Sequence, residues 1–264
     1  MSVQGYWSDL PSSAFRALPS DTIAVLPLGA TEQHGPHLPL SVDSDIIGAV
    51  AARMLDCLKP EQSVLVLPSF TVSKSDEHDA FPGTLTYSAE TMLAMLREIG
   101  RSVARAGVDR LLFLNGHGGN AALLQIAARE LRQTENLVAA SCSWGGFAEW
   151  EAHFEPAAYS LDIHAGECET SMMLAIRPDR VDMAKAADFR SALQDWEEDF
   201  PRIGLGGKPV NPGWLAQDLH SEGACGNASA ATAEKGEALL ESAGRNLADF
   251  LAEFARFDHR KSAQ

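Results

Sequence analysis

Residues 22–45 read TIAVLPLGATEQHGPHLPLSVDSD. The first seven residues form a nearly uninterrupted apolar run, which is typical of a strand buried on both faces of a parallel sheet. The seventeen residues after it hold two histidines and three carboxylates among glycines and prolines. The stretch therefore predicts a buried strand that ends in a loop where polar side chains gather.

The alternation of buried strands and helices continues along the chain. Apolar runs predict strands at 22–28, 64–67, 110–114 and 137–143, and apolar residues three and four apart predict helices at 46–58, 89–106, 121–133, 166–176 and 239–257. Asp43 or Ser44 is available to cap the first helix. This alternation predicts an α/β fold, a three-layer α/β/α sandwich with a mostly parallel central sheet. We expect residues 1–264 to form a single domain, with residues 200–227 as an ordered loop near the site.

The composition argues against several classes of protein. A formal net charge of −15 repels phosphate backbones and anionic lipid, so we expect neither nucleic acid nor a membrane as a partner. No uncharged apolar stretch reaches the roughly 18 residues that a membrane span needs, and the first residues lack the pattern of a signal peptide. The four cysteines are scattered without a CxxC pair, which predicts reduced thiols in a cytoplasmic protein.

Polar side chains cluster after the predicted strands. In an open α/β sheet, ligands bind beyond the carboxyl ends of the strands, so side chains distant in sequence can meet in one cleft. Each motif alone is weak, since the glycine-rich turn at 115–120 could cradle a phosphate and the loop at 76–78 could be solvated. The clusters are Glu32, His34 and Asp43; Asp76, Glu77 and His78; Asn115, His117 and Asn120; and residues 162–171.

The residue types in these clusters point to metal binding. Histidine nitrogens and carboxylate oxygens are ligands that divalent zinc, manganese and iron accept. Glu32 and His34 are two residues apart, so in an extended loop both side chains point the same way. Asp43 follows closely enough to bridge two metals through its two oxygens. Two metals about 3.5–4 Å apart would share a hydroxide and polarise a substrate carbonyl, which predicts a hydrolytic centre.

Five motifs occur in the order found in one enzyme family. They are GATEQHGPHLPLSVDSDI, SDEHDAFPGTLT, FLNGHGGN, HAGECETS and SEGACGNASAATAEKG. The chain resembles the creatininase family of metal-dependent amidohydrolases from about residue 7 to residue 254. The resemblance implies a creatininase-like α/β/α domain with a dinuclear metal centre, hydrolysis of a C–N bond in a non-peptide or small-peptide substrate, and a homo-oligomer that is often a hexamer.

The resemblance also assigns roles to residues. Asp43 is the implied bridging ligand, and His164 stands where the family has a catalytic histidine. Creatinine hydrolases supply a further carboxylate two residues after the histidine of the third motif, whereas this chain has Gly119 there. The metal ligands that the resemblance implies are Glu32, His34, Asp43 and His117.

The fourth motif offers two replacements for the missing carboxylate. We expect Glu169 to be the additional metal ligand. Glu167 is expected to be a general base or to hold the imidazole of His164, although it could instead be the ligand or face solvent. The departure at Gly119 makes creatinine a less expected substrate, because family members with NGHGGN include deformylases and enzymes of peptide-cofactor maturation.

The predicted reaction uses two divalent metal ions per chain, with zinc expected and manganese or iron as alternatives. A metal-bridging hydroxide attacks the carbonyl of a small amide, lactam or formamide, and His164 protonates the departing nitrogen. Trp144 and Trp150 could line the substrate entrance or could instead pack subunits together. Substrate-binding residues are predicted at Ser75, Asp76, His78, Asn120 and Trp144.

Three other functions fit part of the sequence. A metal-dependent peptidase or deformylase of cofactor maturation would use the same centre. A Cys or Ser hydrolase would use Cys168 or Ser171 with His164 and would work in the presence of a chelator. A non-catalytic homologue would bind a metabolite with the same fold, but four costly polar groups in one cleft argue against it.

Overall fold

A computed structural model describes residues 2–205 and 208–261 of the chain. In this part of the chain, strands and helices alternate through the first half, and helices predominate in the second. The strands are β1 (Gln4–Tyr6), β2 (Ile23–Leu28), β3 (Val64–Val66), β4 (Arg110–Asn115), β5 (Val138–Ser143), β6 (Asp188–Phe189) and β7 (Gly226–Asn227). The helices are α1 (Val42–Asp56), α2 (Ala89–Arg105), α3 (Ala121–Thr134), α4 (Pro156–Tyr159), α5 (Glu167–Ile176), α6 (Leu193–Asp199), α7 (Ala216–Leu219) and α8 (Ala233–Phe254).

The central sheet is parallel and lies between two layers of helices. Its strand order is β1-β3-β2-β4-β5, and β6 and β7 form a separate antiparallel pair. Ile23 and Val25 of β2 pack with α1, α5 and α8, whereas Ala24 and Leu26 pack with α2 and α3. Alternate residues of a strand face opposite sides of a sheet, so apolar cover on both sides requires the uninterrupted apolar run. The predicted three-layer α/β/α fold is confirmed.

Two local differences from the prediction concern β1 and α1, and a third is that α8 spans Ala233–Phe254 rather than 239–257. The edge strand β1 was not predicted, because its three residues are a glutamine, a glycine and a tyrosine rather than an apolar run. Helix α1 begins at Val42, four residues before the predicted start, and its N-cap is Ser41. The prediction that Asp43 or Ser44 caps this helix is therefore wrong. Asp43 lies within the first turn, where its buried carboxylate is free to face the site.

The strand register places the site at one edge of the sheet. Leu28 of β2 pairs with Asn115 of β4, and Asn115 pairs with Ser143 of β5, so these strands end side by side. The backbone N–H of Gly116 donates to the carbonyl of Leu28 (2.7 Å), which holds the two following loops together. A Cβ at Gly116 would lie 2.9 Å from Ile47 Cβ, so only glycine allows this approach. None of the described helices is long and apolar enough to cross a membrane.

Candidate metal centre

Five of the predicted ligands meet beyond the carboxyl ends of β2 and β4. Glu32 and His34 lie in the loop after β2, and Asp43 lies on the first turn of α1. His117 follows β4, and Glu169 extends from the first turn of α5. The first four residues are buried, and the side chain of Glu169 is 21% exposed. Their ligand atoms form two groups, each within 4.8 Å: Glu32, Asp43 and His117, and His34, Asp43 and Glu169. A third group of the same size joins His164 to Glu32 and His34.

In the first group, His117 faces two carboxylates. Its Nδ1 lies 3.3 Å from Glu32 Oε2 and 3.3 Å from Asp43 Oδ2. Its Nε2 lies 2.7 Å from the backbone carbonyl oxygen of Lys74, to which only a protonated nitrogen can donate. In the neutral ring, Nδ1 therefore presents a lone pair to two anionic oxygens. This arrangement repels unless a cation lies among the three atoms.

The second group repeats this arrangement with His34. Its Nδ1 is 3.0 Å from the backbone carbonyl oxygen of Glu32 and donates to it, so Nε2 carries the lone pair in the neutral ring. That Nε2 lies 3.5 Å from Asp43 Oδ1 and 3.7 Å from Glu169 Oε2. Asp43 therefore presents one oxygen to each group. Glu169 is held in place by the N–H of Ala165, which donates to Oε2 at 2.7 Å.

Unpartnered buried atoms mark both groups as suitable for divalent cations. Among the described residues, four buried side-chain atoms lack a hydrogen-bond partner, and three of them belong to this centre. Leaving buried charged or polar groups without a partner is costly, so these atoms call for a positive charge between them. Imidazole nitrogen and carboxylate oxygen suit zinc, manganese and iron. The three atoms are Glu32 Oε2, His34 Nε2 and Asp43 Oδ2.

The pKa shifts in this centre reflect its excess of negative charge. Burial lowers the pKa of His34, but the carboxylates of Asp43, Glu169 and Glu32 outweigh it and raise the pKa to about 9. Burial raises the pKa of Glu169 to about 7, although His34 opposes the shift. Without another cation, the cluster would therefore draw protons onto its own ligands. A divalent cation competes directly with those protons.

His164 and His78 stand beside Glu32 on the other side of the centre. The His164 ring centroid is 4.2 Å from that of His34 and 4.4 Å from that of His78. His164 Nε2 lies 2.7 Å from the backbone oxygen of Gln33, and Nδ1 lies 3.7 Å from Glu32 Oε1. Burial, with the nearby charge of His34 and His78, holds the pKa of His164 well below its usual value. A neutral His164 therefore presents a lone pair at Nδ1.

The remaining predicted site residues are distributed unevenly. Ser75 Oγ is buried 3.3 Å from His117 Nε2, and His78 Nε2 is 3.3 Å from Glu32 Oε1, so both adjoin the centre. Asp76 is more exposed and pairs with Lys74 at an adjoining groove. Asn120 is buried, and its amide bonds Asn115 Oδ1 and the backbone N–H of Lys74, so it joins two loops.

Three residues with a predicted role are not brought to the centre. Glu167 forms an ion pair with Lys235, and it is not among the described residues that line the cavity. Trp144 packs against the core between the sheet and α1, α5 and α8. Trp150 stacks on Tyr159, with ring centroids 4.1 Å apart. The structure therefore gives no support to a general-base role for Glu167 or to an aromatic wall formed by Trp144.

A cavity of about 400 Å³ opens above the two groups, and residues that the sequence did not single out form part of it. Leu205 and Trp214 line it from the loop between α6 and α7, in the segment predicted to lie near the site. Glu77 and Asp162 also line it. An adjoining groove of about 510 Å³ shares Glu77 and Trp214 with this cavity. The cavity and the groove together extend away from the centre.

The space beside Gly119 is already filled. A Cβ at this position would lie 2.3 Å from Glu77 Oε1, 2.5 Å from His117 Nε2 and 2.5 Å from the carbonyl oxygen of Lys74. A carboxylate side chain at position 119 therefore does not fit this arrangement of loops. Glu169, which comes from α5 on the other side of His34, is the carboxylate that completes the second group.

The residues of the Cys or Ser hydrolase alternative lack an activated nucleophile. Burial, together with Asp162, Glu169 and Glu167, holds the pKa of Cys168 well above its usual value. Ser171 is fully buried, and its Oγ accepts a hydrogen bond from the N–H of Thr232 at 3.1 Å. A nucleophile needs a thiolate or an adjacent general base at a reachable position. Neither residue meets this requirement.

Comparison with known proteins agrees with this geometry. The sequence model of the creatininase family, described as creatinine amidohydrolase, matches residues 8–251. The chain belongs to the creatininase family. A mutant creatininase of the zinc–zinc type superposes with a TM-score of 0.72 at 28% identity, which covers 96% of this chain and 98% of that chain. The fold and the divalent-metal character of the centre are therefore those of a creatininase-family hydrolase.

Two curated members of the creatininase family show the range of activities among its relatives. A mycofactocin precursor peptide peptidase of Mycolicibacterium smegmatis is 34% identical over 245 residues, which is 92% of this chain and 90% of that protein. A creatinine amidohydrolase of Pseudomonas putida is 31% identical over 254 residues, which is 90% of this chain and 92% of that protein. One relative is thus a peptidase and the other is an amidohydrolase.

Proposed function

We propose that this creatininase-family protein is a metal-dependent amidohydrolase that cleaves the C–N bond of an amide, lactam or formamide. The observation that carries the proposal is the shared position of Asp43. One of its oxygens faces His117 and the other faces His34, and each histidine has its other nitrogen on a backbone carbonyl. Such an arrangement suits two cations bridged by one carboxylate.

The proposed ligands divide between two divalent ions, with zinc as the expected metal and manganese or iron as alternatives. Glu32 and His117 would hold one ion, His34 and Glu169 would hold the other, and Asp43 would contact both. When bound, such ions act as Lewis acids on a substrate carbonyl and lower the pKa of water toward about 7. With an ion bound, His34 and His117 would present their unprotonated nitrogens to it, because each ring donates its other N–H to a backbone carbonyl.

His164 is proposed to move the proton during the reaction. Its Nε2 is occupied by the Gln33 carbonyl, so the proton must enter and leave at Nδ1. Because the resting ring is neutral, His164 first accepts a proton from the attacking water and then returns it to the departing nitrogen. The sequence predicted only the second step. Ser75 and His78, which adjoin the centre, are proposed to orient neighbouring groups rather than to transfer protons.

Metal analysis with paired variants tests the proposal. Asp43→Asn removes the carboxylate that both groups share, so bound zinc should fall well below one equivalent and hydrolysis should be lost. Asp45→Asn is the matched control, because Asp45 lies on the same turn and bonds Ser41 and Arg177 instead. Activity should vanish with a chelator, return with zinc and survive a thiol reagent. Activity that survives metal removal would refute the proposal.

A second candidate function is a metal-dependent peptidase. The groove beside the cavity, which continues past Trp214, offers room for the residues that flank a peptide bond. The curated peptidase relative aligns with nearly the whole chain. Zinc- and manganese-loaded protein should be incubated with short peptides, formamides and lactams, and the products identified by mass spectrometry. Cleavage of peptides alone would select the peptidase, and cleavage of lactams or formamides alone would select the small-molecule hydrolase.

We further propose that the whole chain works as one creatininase-like domain within a homo-oligomer, such as a hexamer, in the cytoplasm. The four cysteines are free, which agrees with a reducing compartment. A groove lined by Ala140, Phe250, Phe254 and Phe257 lies beside the edge strand β5, where another subunit could pack. Light scattering coupled to size-exclusion chromatography measures the subunit number.

A further inference from the structure

Gln33 lies between two proposed metal ligands, and its side chain is buried among backbone and imidazole groups. Its Nε2 is 3.0 Å from the carbonyl oxygen of Gly223 and 2.7 Å from His78 Nδ1. Its Oε1 is 2.9 Å from the backbone nitrogen of Gly35. No pattern in the sequence pointed to a role for this residue. Its contacts nevertheless link the loop after β2 to His78, which lines the cavity, and to the loop that carries Gly223.

The two backbone partners fix which way the Gln33 amide points. The N–H of Gly35 can only donate, so the atom facing it must be the amide oxygen. The carbonyl of Gly223 can only accept, so the atom facing it must be the amide nitrogen. The opposite orientation would place the amide NH₂ group against the N–H of Gly35 and the amide oxygen against the carbonyl oxygen of Gly223. The NH₂ group of Gln33 therefore faces His78.

This orientation determines the tautomer of His78. Gln33 Nε2 also lies 3.3 Å from His164 Nε2, but its shorter contacts, to the Gly223 carbonyl (3.0 Å) and to His78 Nδ1 (2.7 Å), take its two amide hydrogens. Nδ1 must therefore be the unprotonated nitrogen, and the ring proton sits on Nε2. Nε2 lies 3.3 Å from Glu32 Oε1 and can donate to it. A nitrogen that bears a proton cannot bind a metal, so His78 is a hydrogen-bond donor to a ligand rather than a ligand itself.

The backbone of the same residue gives His164 the complementary arrangement. The carbonyl oxygen of Gln33 lies 2.7 Å from His164 Nε2 and accepts its proton, which leaves a lone pair on Nδ1. Nδ1 is 3.7 Å from the same Glu32 Oε1 that His78 approaches. One histidine therefore presents N–H and the other a lone pair toward a single carboxylate oxygen. Both orientations originate in one residue.

We propose that Gln33 is a positioning residue that gives the two histidines beside Glu32 opposite roles, with His78 as a hydrogen-bond donor to the carboxylate and His164 as a proton acceptor. The catalytic meaning of this arrangement rests on the proposed amidohydrolase function. The hydrogen-bonding arrangement itself does not depend on the proposed function. It follows from the two backbone partners of the amide and the spacing of the two rings.

Nitrogen NMR of zinc-loaded, full-length protein with ¹⁵N-labelled histidine tests the assignment. Spectra are recorded at about pH 8, where an unperturbed imidazole is neutral. His78→Gln and His164→Gln spectra assign the signals. We expect both rings to carry the proton on Nε2, with His78 Nδ1 accepting a hydrogen bond. A proton on Nδ1 of His78, or zinc bound to its Nε2, would overturn the inference without any variant of Gln33.

Gln33→Glu supplies the decisive perturbation. A carboxylate accepts where the amide donated, so His78 Nδ1 should gain a proton while His164, held by the backbone, keeps its tautomer. Zinc affinity should fall about 10- to 100-fold, as for the loss of other groups that orient a metal ligand. An unchanged His78 spectrum would overturn the inference. If Gln33→Glu fails to fold, Gln33→Met should shift the Nδ1 signal by removing its hydrogen bond, and an unmoved signal is equally decisive.

Gln62→Glu is the matched control. Gln62 is also buried, and its amide also bonds two backbone groups, the carbonyl of Ala248 (2.8 Å) and the N–H of Lys59 (2.7 Å), but it has no histidine partner among the described residues. Its histidine spectrum should match wild type, and altered His78 signals in this variant would count against the inference. If the tautomers are as expected but no amide is hydrolysed, the proposed function fails and the positioning role stands.

Discussion

Replacing Glu169 with Gln should release one of two bound metal ions while leaving helix α5 intact. The substitution keeps the shape of the side chain, and its amide oxygen can still accept from the N–H of Ala165, as Oε2 does at 2.7 Å. It removes the negative charge from the group that contains His34 and Asp43. The other group, which contains Glu32 and His117, keeps its three metal-ligand atoms. Bound zinc should fall from two equivalents toward one.

The expected loss of affinity is large enough to measure by two routes. Mutation of a residue that only orients a ligand costs about 10- to 100-fold, so removal of a ligand charge should cost at least about 100-fold. At a zinc concentration near 1,000 times the wild-type dissociation constant, binding stabilises the fold by about 4 kcal/mol, and a 100-fold weaker site leaves about 1.4 kcal/mol. The lost stabilisation of about 2.7 kcal/mol corresponds to a Tm decrease of about 5–10 °C in a chain of this size.

Glu167→Gln is the control, since it makes the same chemical change two residues away on the same helix. Glu167 pairs with Lys235 rather than with the centre, so its variant should bind two zinc ions with wild-type affinity. Competition with a chromophoric chelator gives the affinities, and elemental analysis gives the stoichiometry. The assignment is refuted if Glu169→Gln retains both ions with unchanged affinity, or if Glu167→Gln is the variant that loses one.

Three other perturbations follow from the described contacts. His164→Ala should keep full metal content and lower kcat about 10²- to 10⁴-fold. An unchanged kcat would contradict the role of His164 in proton transfer. Gly119→Ala should reduce the free energy of unfolding by about 1–3 kcal/mol, because its Cβ would lie 2.5 Å from the Lys74 carbonyl oxygen; Gly118→Ala, with no atom within 4 Å of the added Cβ, should be near neutral in denaturant titrations. Burial, assisted by the charge of His34, lowers the pKa of His37 to about 4. The free energy of unfolding should therefore decrease as the pH falls from about 6.5 toward 4, by at most about 3 kcal/mol. A His37→Gln variant whose free energy of unfolding shows the same pH dependence would exclude His37 as the cause.

Most of the fold was predictable because a strand that is buried on both faces of the sheet has an uninterrupted apolar sequence. The run in β2 is apolar at every position, since its residues pack alternately on two cores. β1 has no such apolar sequence, because it pairs through its backbone at an edge and its residues are not buried. The predicted start of α1 was wrong because Asp43, a buried polar residue in the first turn that faces the centre, interrupts the apolar spacing of the helix.

The site was predictable where strand order alone brings residues together. The positions of Glu32 and His117 follow from two adjacent parallel strands that end in register. The role of Gln33 could not be predicted, because its amide bonds Gly223, which is 190 residues away in the chain. Trp214 was not predicted either, because it reaches the cavity from a loop whose sequence has no regular spacing of apolar or polar residues.

The wall formed by Leu205 and Trp214 belongs to a segment that, within the described residues, contributes no atom to either group of metal donors. The side chains proposed to hold the metals and these two lining side chains thus lie in different stretches of the chain. Insertions or exchanges between α6 and α7 can reshape the opening without disturbing any donor. We therefore expect that grafting this loop between relatives would change substrate preference while leaving metal content unchanged.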